Sequence, residues 1–240
     1  QNNSGNFRNY NNNIRGGLDY YFSESSILTA SYLWRRNDGR RITDILYEDY
    51  LNSTDNFQGY SLRRQDEKES EPNSEISVNY KKTFAQKGHE LVTTFTYLNY
   101  WERSDQVFTE FFFNPQGVST PQRDLYQTSL NDEYENQYLL QLDYTKPFAK
   151  EGKFETGLRT SFREMENDFV VSQRNESGEV LPLPGLDNIF LYDENILAAY
   201  GIVGNKTGKW TYQGGLRAEH TDIRTTLVET NVQNPRKYTN

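Results

Sequence analysis

The chain has 240 residues, of which 34% are hydrophobic and 15% aromatic, and its formal net charge is −8. Such low hydrophobicity with net charge is typical of disorder, but disordered chains are poor in aromatic residues, so we expect a folded chain that concentrates its apolar groups on one surface. The acidic balance argues against nucleic-acid binding, and the absence of cysteine excludes disulfides, thiolate metal sites and cysteine nucleophiles. No window is apolar enough for a membrane-spanning helix, and QNNSGNFRNYNNN at the start does not have the pattern of a signal peptide.

The first predicted elements are two strands within Leu18 to Trp34, LDYYFSESSILTASYLW. Leu18, Tyr20 and Phe22 share one face of an extended chain. After a reversal at Ser23 to Ser26, alternate residues are again apolar: Leu28, Ala30, Tyr32 and Trp34. Alternation on both sides of a short polar turn predicts a β-hairpin.

Three further hairpins of this design follow. Their predicted apolar faces are Ile76, Val78, Tyr80 and Phe84 with Leu91, Thr93, Phe95, Tyr97 and Trp101; Tyr138, Leu140, Leu142, Tyr144 and Phe148 with Phe154, Thr156, Leu158, Thr160 and Phe162; and Ile196, Ala198, Tyr200 and Ile202 with Trp210, Tyr212, Gly214, Leu216 and Ala218. The sequence therefore predicts four antiparallel hairpins, about eight strands. The turns YKKTFAQKG and YTKPFAKEG are similar in letters, which indicates either one turn used twice or convergent turn chemistry.

Long polar segments separate the hairpins, at 37–73, 102–135 and 167–193. Connections that alternate between short and long are unusual in a compact soluble domain but expected in an outer-membrane barrel, which has short periplasmic turns and longer extracellular loops. We therefore predict an up-and-down transmembrane β-barrel segment.

The aromatic residues cluster near the predicted short turns, where a membrane-interface girdle would place them. The girdle residues we expect are Tyr20, Phe22, Tyr80, Phe84, Tyr144, Phe148, Phe154 and Trp210, with a weaker second set of Trp34, Trp101 and Phe162. The opposite face, expected to line a lumen, carries Glu155, Arg159, Arg163, Arg217, Glu219, Gln141 and Asp143. A soluble β-sandwich is the alternative, but so many polar residues would not build its second apolar layer.

Three phrases, GGLDYYFSESSILTASYLW, YLLQLDYTKPFAKEGKFETGLRTSF and KWTYQGGLRAEHTDI, resemble the barrel region of TonB-dependent outer-membrane receptors, in particular the outer-membrane β-barrel family of Bacteroidetes-type bacteria. The resemblance implies a barrel of about twenty-two strands around an N-terminal plug, with import driven by an inner-membrane energy-coupling complex. No plug or energy-coupling box is recognisable, and NPRKYTN lacks the expected terminal strand and aromatic. Residues 1–240 are therefore expected to be a partial barrel domain without its plug and C-terminus.

One polar segment mixes arginine with aromatic residues, a combination suited to holding a polar ligand by stacking and charged hydrogen bonds. The candidate ligand-contact residues are Arg40, Arg41, Tyr47, Tyr50, Phe57, Tyr60, Arg63 and Arg64. Glu48, Asp49 and Asp55 are close enough in sequence for a calcium ion, although solvated surface charge is favoured for this EDY to NSTDNF region. Phe108 and Phe111 to Phe113 are expected in a loop hairpin that packs in the barrel mouth or, less favoured, contacts ligand.

Catalysis has little support, because His89 and His220 are far apart in sequence and are expected to be solvated. We therefore expect no enzyme activity, no metal site and no cofactor. The favoured function is part of an outer-membrane receptor that imports a nutrient such as a siderophore or oligosaccharide, with outer-membrane lipid and, through the missing plug, the energy-coupling complex as partners. The alternatives are an adhesion or binding protein without transport and, third, a soluble carbohydrate-binding sandwich.

Overall fold

A computed structural model describes residues 2–52 and 55–240. They form ten strands and a one-turn 3₁₀ helix, Pro121–Arg123. The strands are β1 (Asn2–Ser23), β2 (Ser26–Tyr50), β3 (Phe57–Thr83), β4 (Glu90–Phe113), β5 (Leu125–Phe148), β6 (Gly152–Arg174), β7 (Val180–Pro182), β8 (Asn188–Thr207), β9 (Trp210–Leu227) and β10 (Val232–Thr239). Among these residues there is no helix long and apolar enough to cross a membrane.

All the strands belong to one antiparallel sheet. Its order is β1-β2-β3-β4-β5-β6-β8-β9-β10, and β7 pairs with β6 beside this path. Each strand of the path thus pairs with its neighbour in the chain apart from β7, as in an up-and-down barrel. Within the part of the chain that the structure describes, β1 and β10 do not pair with each other, so the sheet is open.

The four predicted hairpins are present, but the expected number of about eight strands is too low. The two unpredicted strands are short: β7, three residues long, and β10, eight residues long. β10 contains NPRKYT, so the expectation that this segment lacks a strand was wrong. β10 has no alternation of apolar and polar residues, because its residues are exposed on both faces and include a proline at position 235 with charged neighbours. A periodicity analysis therefore does not detect it.

The polar segments predicted as long loops are mostly strand, which corrects that expectation. β2 and β3 stay paired from Asn37↔Glu71 as far as Tyr50↔Phe57, and only residues 51–56 connect them. Of the NSTDNF stretch in this connection, Ser53 and Thr54 lie outside the described residues. The reason for the error is chemical: polar residues occupy both faces of these extensions, so no apolar alternation marks them as strands.

The two similar turn sequences fold differently, which favours convergent turn chemistry. The first turn spans residues 84–89, and Gly88 adopts a left-handed φ of 79°. The second spans only residues 149–151, and there Ala149 has the positive φ, 52°. Gly152 instead begins β6, where a Cβ atom would lie 2.5 Å from the ring of Phe148.

The registers assign side chains to two faces of the sheet. One row of directly paired residues crosses eight strands on the apolar face: Tyr20, Leu28, Tyr80, Thr93, Leu142, Leu158, Ala199 and Ala218. We call this the outward face and its opposite the inward face. On β8 the prediction was wrong by one residue, because Leu197 and Ala199 face outward whereas Ile196, Ala198, Tyr200 and Ile202 face inward.

The error on β8 has a clear cause. Residues 196–203 are apolar or small at nearly every position, so alternation does not select a face, and pairing with β6 decides instead. Ala198 pairs with Arg159 and is 2% exposed, whereas Leu197 is 59% exposed.

The sheet has almost no protein core. Ala198 is the only buried hydrophobic residue among those described, while large apolar side chains such as Leu158 (56% exposed) and Leu216 (87%) have no protein layer over them. Burial of apolar surface is the main force that stabilises folds. A different medium must therefore cover the outward face.

Neighbouring strands are staggered in one direction across the sheet. In the row of paired residues, Leu28 is the third residue of β2 counted from its short turn, whereas Ala199 lies eight residues from Thr207, where β8 reaches its own short turn. A drift of this kind means that the strands tilt relative to the line of turns. Closed barrels require such a tilt.

Candidate functional site

The predicted girdle residues at the first hairpin lie together on the outward face. The rings of Tyr20 and Phe22 meet edge to face at 4.8 Å, and Phe22 lies 6.4 Å from Tyr80. The hydroxyl of Tyr80 is 2.9 Å from that of Ser26, the first residue of β2. The tyrosine hydroxyl groups thus lie near the strand ends, next to exposed aromatic rings. A membrane interface favours this combination of an apolar ring and a polar group.

At the second hairpin, Phe84 and Tyr144 contact the same histidine. The imidazole of His89 stacks on Phe84 at 4.0 Å, and its Nε2 atom is 2.9 Å from the hydroxyl of Tyr144. His89 is thus part of the aromatic cluster, and the expectation that it is merely solvated was wrong. His220 is exposed, with Nδ1 2.9 Å from the hydroxyl of Thr239.

The remaining girdle residues are also exposed on the outward face near short turns. Phe148 lies over Gly152, Phe154 is 37% exposed and Trp210 is 80% exposed. Together these eight residues form what we call the turn-end band: Tyr20, Phe22, Tyr80, Phe84, Tyr144, Phe148, Phe154 and Trp210.

A second aromatic band lies eight to eleven residues from the turn ends of the strands. Trp101 is eleven residues from the start of β4, Phe162 is ten from the start of β6, and Trp34 is eight from the start of β2. Tyr138, missed as a member, pairs with Phe162 at the same level. We call these four the far band. Between aromatic residues on one strand, the two bands are six to ten residues apart: Tyr144 and Phe148 lie six and ten residues from Tyr138, and Phe154 lies eight from Phe162. A transmembrane strand needs about 9–11 residues, so the wider spacing approaches one span.

Between the bands the inward face is polar except along β8, where Ile196, Ala198 and Ile202 face inward. Gln141 donates through Nε2 to Oδ2 of Asp143 at 2.7 Å, and the hydroxyl of Tyr200 donates to Oδ1 of the same carboxylate at 2.7 Å. Near the far band, Arg163 forms a 2.7 Å ion pair with Glu135. The predicted polar residues of the inward face are therefore hydrogen-bonded to one another. Tyr200 also belongs to this group, but the sequence analysis placed it on the apolar face of β8.

The eight candidate ligand-contact residues lie beyond the far band, and the structure divides them between the two faces. Arg40 and Arg64 face outward, in ion pairs with Asp66 at 2.6 Å and Asp44 at 2.7 Å. Tyr60 also faces outward and stacks on Phe113 at 4.8 Å. Tyr50 and Phe57 meet at 5.5 Å at the tip of the β2–β3 hairpin, and Tyr47 faces inward opposite Ser61.

Arg41 and Arg63 face inward, and each is held between an aromatic ring and a carboxylate. Arg41 lies 5.4 Å from the centre of the Phe7 ring and 3.6 Å from Glu67. Arg63 lies 4.7 Å from the Phe108 ring and forms a 3.0 Å ion pair with Glu110. A guanidinium fixed in this way can still present free N–H groups to a polar ligand.

The phenylalanine-rich segment is the end of β4 and pairs with β5, so the expected hairpin is present but consists of strand instead of loop. Phe108 and Phe112 face inward, and Phe112 lies 4.6 Å from the guanidinium of Arg123. Phe111 faces outward opposite Leu62. The segment therefore contributes rings to both faces, because residues in a strand alternate.

Three inward glutamates that the sequence reasoning missed form the one acidic group in the described residues that could hold a cation. Single carboxylate oxygens of Glu69, Glu71 and Glu102 lie within 4.8 Å of one another. Burial, and then the charges of Glu71 and Glu102, raise the pKa of Glu69 to about 7. The signal was present in QDEKESEP, where alternate residues are glutamate, but it needed the strand assignment to be recognised. No such group forms around Glu48, Asp49 and Asp55 in the part of the chain described.

Comparison with known proteins gives one family match. Residues 82–240 match the sequence model of the "Outer membrane protein beta-barrel family". No curated protein sequence matches the chain.

Three solved structures are similar at low identity. They are the ferric citrate transporter FecA in the unliganded form (9% identity, 97% of this chain, 40% of that chain, TM-score 0.36), FpvA of P. aeruginosa bound to heterologous pyoverdines (12%, 99%, 38%, 0.47), and the siderophore receptor PiuA from Acinetobacter baumannii (10%, 99%, 46%, 0.41). The chain spans less than half the length of each.

Proposed function

Because this chain belongs to the outer membrane protein beta-barrel family, we propose that it is part of the barrel of an outer-membrane receptor of the TonB-dependent type, which binds and imports a nutrient ligand. The protein resides in the bacterial outer membrane. The observation that carries the proposal is the exposed apolar face bounded by two aromatic bands, with a hydrogen-bonded polar face behind it and paired hairpins extending beyond one band only. A siderophore and an oligosaccharide are the ligand classes we propose.

The open edges of the sheet support a partial barrel. β1 is 22 residues long and pairs on one side only, with β2. Unpaired backbone amides in hydrocarbon each cost several kcal/mol, so a spanning sheet must close. We propose that further strands of the same protein complete the barrel, and that a plug domain outside these 240 residues connects it to an inner-membrane energy-coupling complex.

We propose a binding role without catalysis. His89 and His220 are in separate interactions, with Tyr144 and Thr239. The inward residues beyond the far band are instead suited to recognition, since Arg41 and Arg63 are each positioned by a ring and a carboxylate.

The test of import uses the full-length protein expressed with its own signal sequence. The cells are given labelled ferric siderophores and labelled oligosaccharides, with and without an intact proton-motive force. If the protein imports its ligand, the labelled ligand should accumulate in the cells and this accumulation should stop when the proton-motive force is removed. Binding of the ligand at the cell surface should persist. Binding with no accumulation under either condition would instead support an adhesion or binding protein, and recovery of the protein in the periplasm would refute a barrel.

Neighbouring arginines give a matched pair of variants for the ligand surface. Arg63 faces inward and Arg64 faces outward, and both are in ion pairs. Arg63→Gln removes a charged donor from the lumen and should weaken binding of the accepted ligand about tenfold, the value of one charged hydrogen bond. Arg64→Gln should leave affinity unchanged. Equal loss from both variants would contradict binding at the inward face.

A further inference from the structure

Three cations lie side by side on the outward face beyond the far band. Arg8 of β1 pairs directly with Arg40 of β2, and Arg40 pairs directly with Lys68 of β3. Their face is outward because the same registers pair Ile14 with Trp34 of the far band. We call Arg8, Arg40 and Lys68 the basic row.

Two of the three side chains in the basic row form no ion pair within the described residues. Like charges directly opposite each other destabilise a sheet. Arg40 is compensated by Asp66 at 2.6 Å. Within the described residues, neither Arg8 nor Lys68 has a carboxylate within 4.0 Å. Lys68 pairs in register with Asp105 of β4, but the carboxylate of Asp105 lies 3.1 Å from Arg103 in an ion pair. The outward neighbours Arg36 and Arg64 likewise form ion pairs, with Asp38 and Asp44.

The row borders an open depression of about 430 Å³. Its wall also contains Tyr10, which is 68% exposed, the paired carboxylates Asp38 and Asp105, and Arg103 and Glu69. Arg8 and Lys68 are both exposed there. The depression thus offers two free cations, a third paired one and an aromatic ring to a ligand that approaches from outside the barrel.

The position of the row indicates which ligand it meets. Arg40 lies six residues beyond Trp34, about 20 Å along the strand and about 15 Å above the far band after the usual barrel tilt. That height is above the acyl chains, at the level of the phosphorylated sugars of an outer-leaflet glycolipid. On β5 and β6, six residues beyond Tyr138 and Phe162 of the far band, the outward residues are instead acidic, with Asp132 opposite Asp168.

We infer that the depression bordered by Arg8, Arg40 and Lys68 binds the phosphorylated sugar head of a lipopolysaccharide in the outer leaflet. The phosphate groups neutralise the row, and the ring of Tyr10 packs against a sugar. This interaction needs only the membrane position of the sheet, so it is separate from import and survives if import fails.

The test measures binding of purified lipopolysaccharide to the full-length protein in detergent. The double variant Arg8→Gln/Lys68→Gln removes the two free cations and should bind roughly 30-fold more weakly, from about 1 kcal/mol per basic group at a membrane surface. The control Lys87→Gln/Lys150→Gln makes the same charge change in the exposed short turns and should bind like the unmodified protein. Heat-modifiable gel mobility confirms that each variant is folded.

Two further measurements use the unmodified protein and do not depend on how the variants fold. Lipopolysaccharide stripped of phosphate should bind far more weakly, and rising salt should weaken binding of the intact lipid. Unchanged affinity in the double variant, equal affinity for the stripped lipid, or insensitivity to salt would each overturn the inference. Equally tight binding of inorganic phosphate alone would show a site for a free anion instead of a lipid.

Discussion

Leu142 and Gln141 are adjacent in β5, and the structure predicts opposite consequences for the same substitution. Leu142 faces outward, paired with Thr93 and Leu158. It lies between the two bands, four residues from Tyr138 in the far band and two and six residues from Tyr144 and Phe148 in the turn-end band. Gln141 faces inward, where its amide donates to Asp143.

The magnitude follows from the depth of the side chain. Arginine on the lipid face of a barrel costs about 2–4 kcal/mol at the midplane and about 0–1 near the interfaces. Leu142→Arg should therefore lower the free energy of unfolding by about 2–4 kcal/mol. Gln141→Arg places its charge beside Asp143 and opposite Arg159, two effects that oppose each other, so a change below about 1 kcal/mol is expected.

The assay is urea unfolding of the full-length protein in phospholipid vesicles, followed by heat-modifiable gel mobility and tryptophan fluorescence. Leu158→Arg serves as a second outward variant, because Leu158 is 56% exposed and pairs with Leu142. Equal destabilisation by arginine at positions 141 and 142 would refute the assignment of faces. A large loss of stability from Gln141→Arg alone would show that Gln141, and not Leu142, faces the lipid.

Two more predictions concern the inward face. A Cβ atom at Gly157 would lie 2.4 Å from the Tyr200 ring and 2.7 Å from Oδ1 of Asp143, so Gly157→Ala should destabilise by about 1–3 kcal/mol. Gly201→Ala, on the outward face with no atom within 4 Å of the new carbon, should not destabilise, and equal urea midpoints for the two variants would contradict this packing. Because burial raises the pKa of Glu69 from 4.5 to about 7, the folded state holds its proton more tightly than the unfolded state, so stability should fall as pH rises from about 4.5 to 7. Glu69→Gln should flatten that part of the pH profile, and an unchanged slope would show that this carboxylate is not buried among the others.

The hairpins could be predicted because their spans have one apolar and one polar face. Ile76 and Val78 alternate with serine and asparagine, and the turn after Thr83 contains Gly88 in a conformation that glycine adopts readily. Where this contrast disappears, prediction fails in both directions. β8 is apolar on both faces, so its orientation needed its partner β6, and the extensions of β2 and β3 are polar on both faces, so they were taken for loops.

The candidate sites depended even more on pairing. Arg40, Arg41, Arg63 and Arg64 are similar in the sequence, yet the strands turn adjacent arginines to opposite sides of the sheet. The basic row joins residues 8, 40 and 68, which only the registers of β1, β2 and β3 bring together. Residue composition indicates the kind of ligand a segment suits, while the register decides which residues meet it.

The polar composition of the chain, with a mean hydropathy of −0.93, follows from the geometry of its strands. β5 is 24 residues long, but a tilted strand crosses the hydrocarbon in about 9–11 residues, and only alternate residues of that stretch face lipid. About five side chains per strand must therefore be apolar, among them Leu140 and Leu142, and the rest meet water or other polar groups. A membrane helix needs about twenty apolar residues in succession, because all of its faces meet lipid. The polar mean hydropathy is thus the value expected for a barrel whose strands continue well beyond the membrane, and a longer extension would make the chain more polar still.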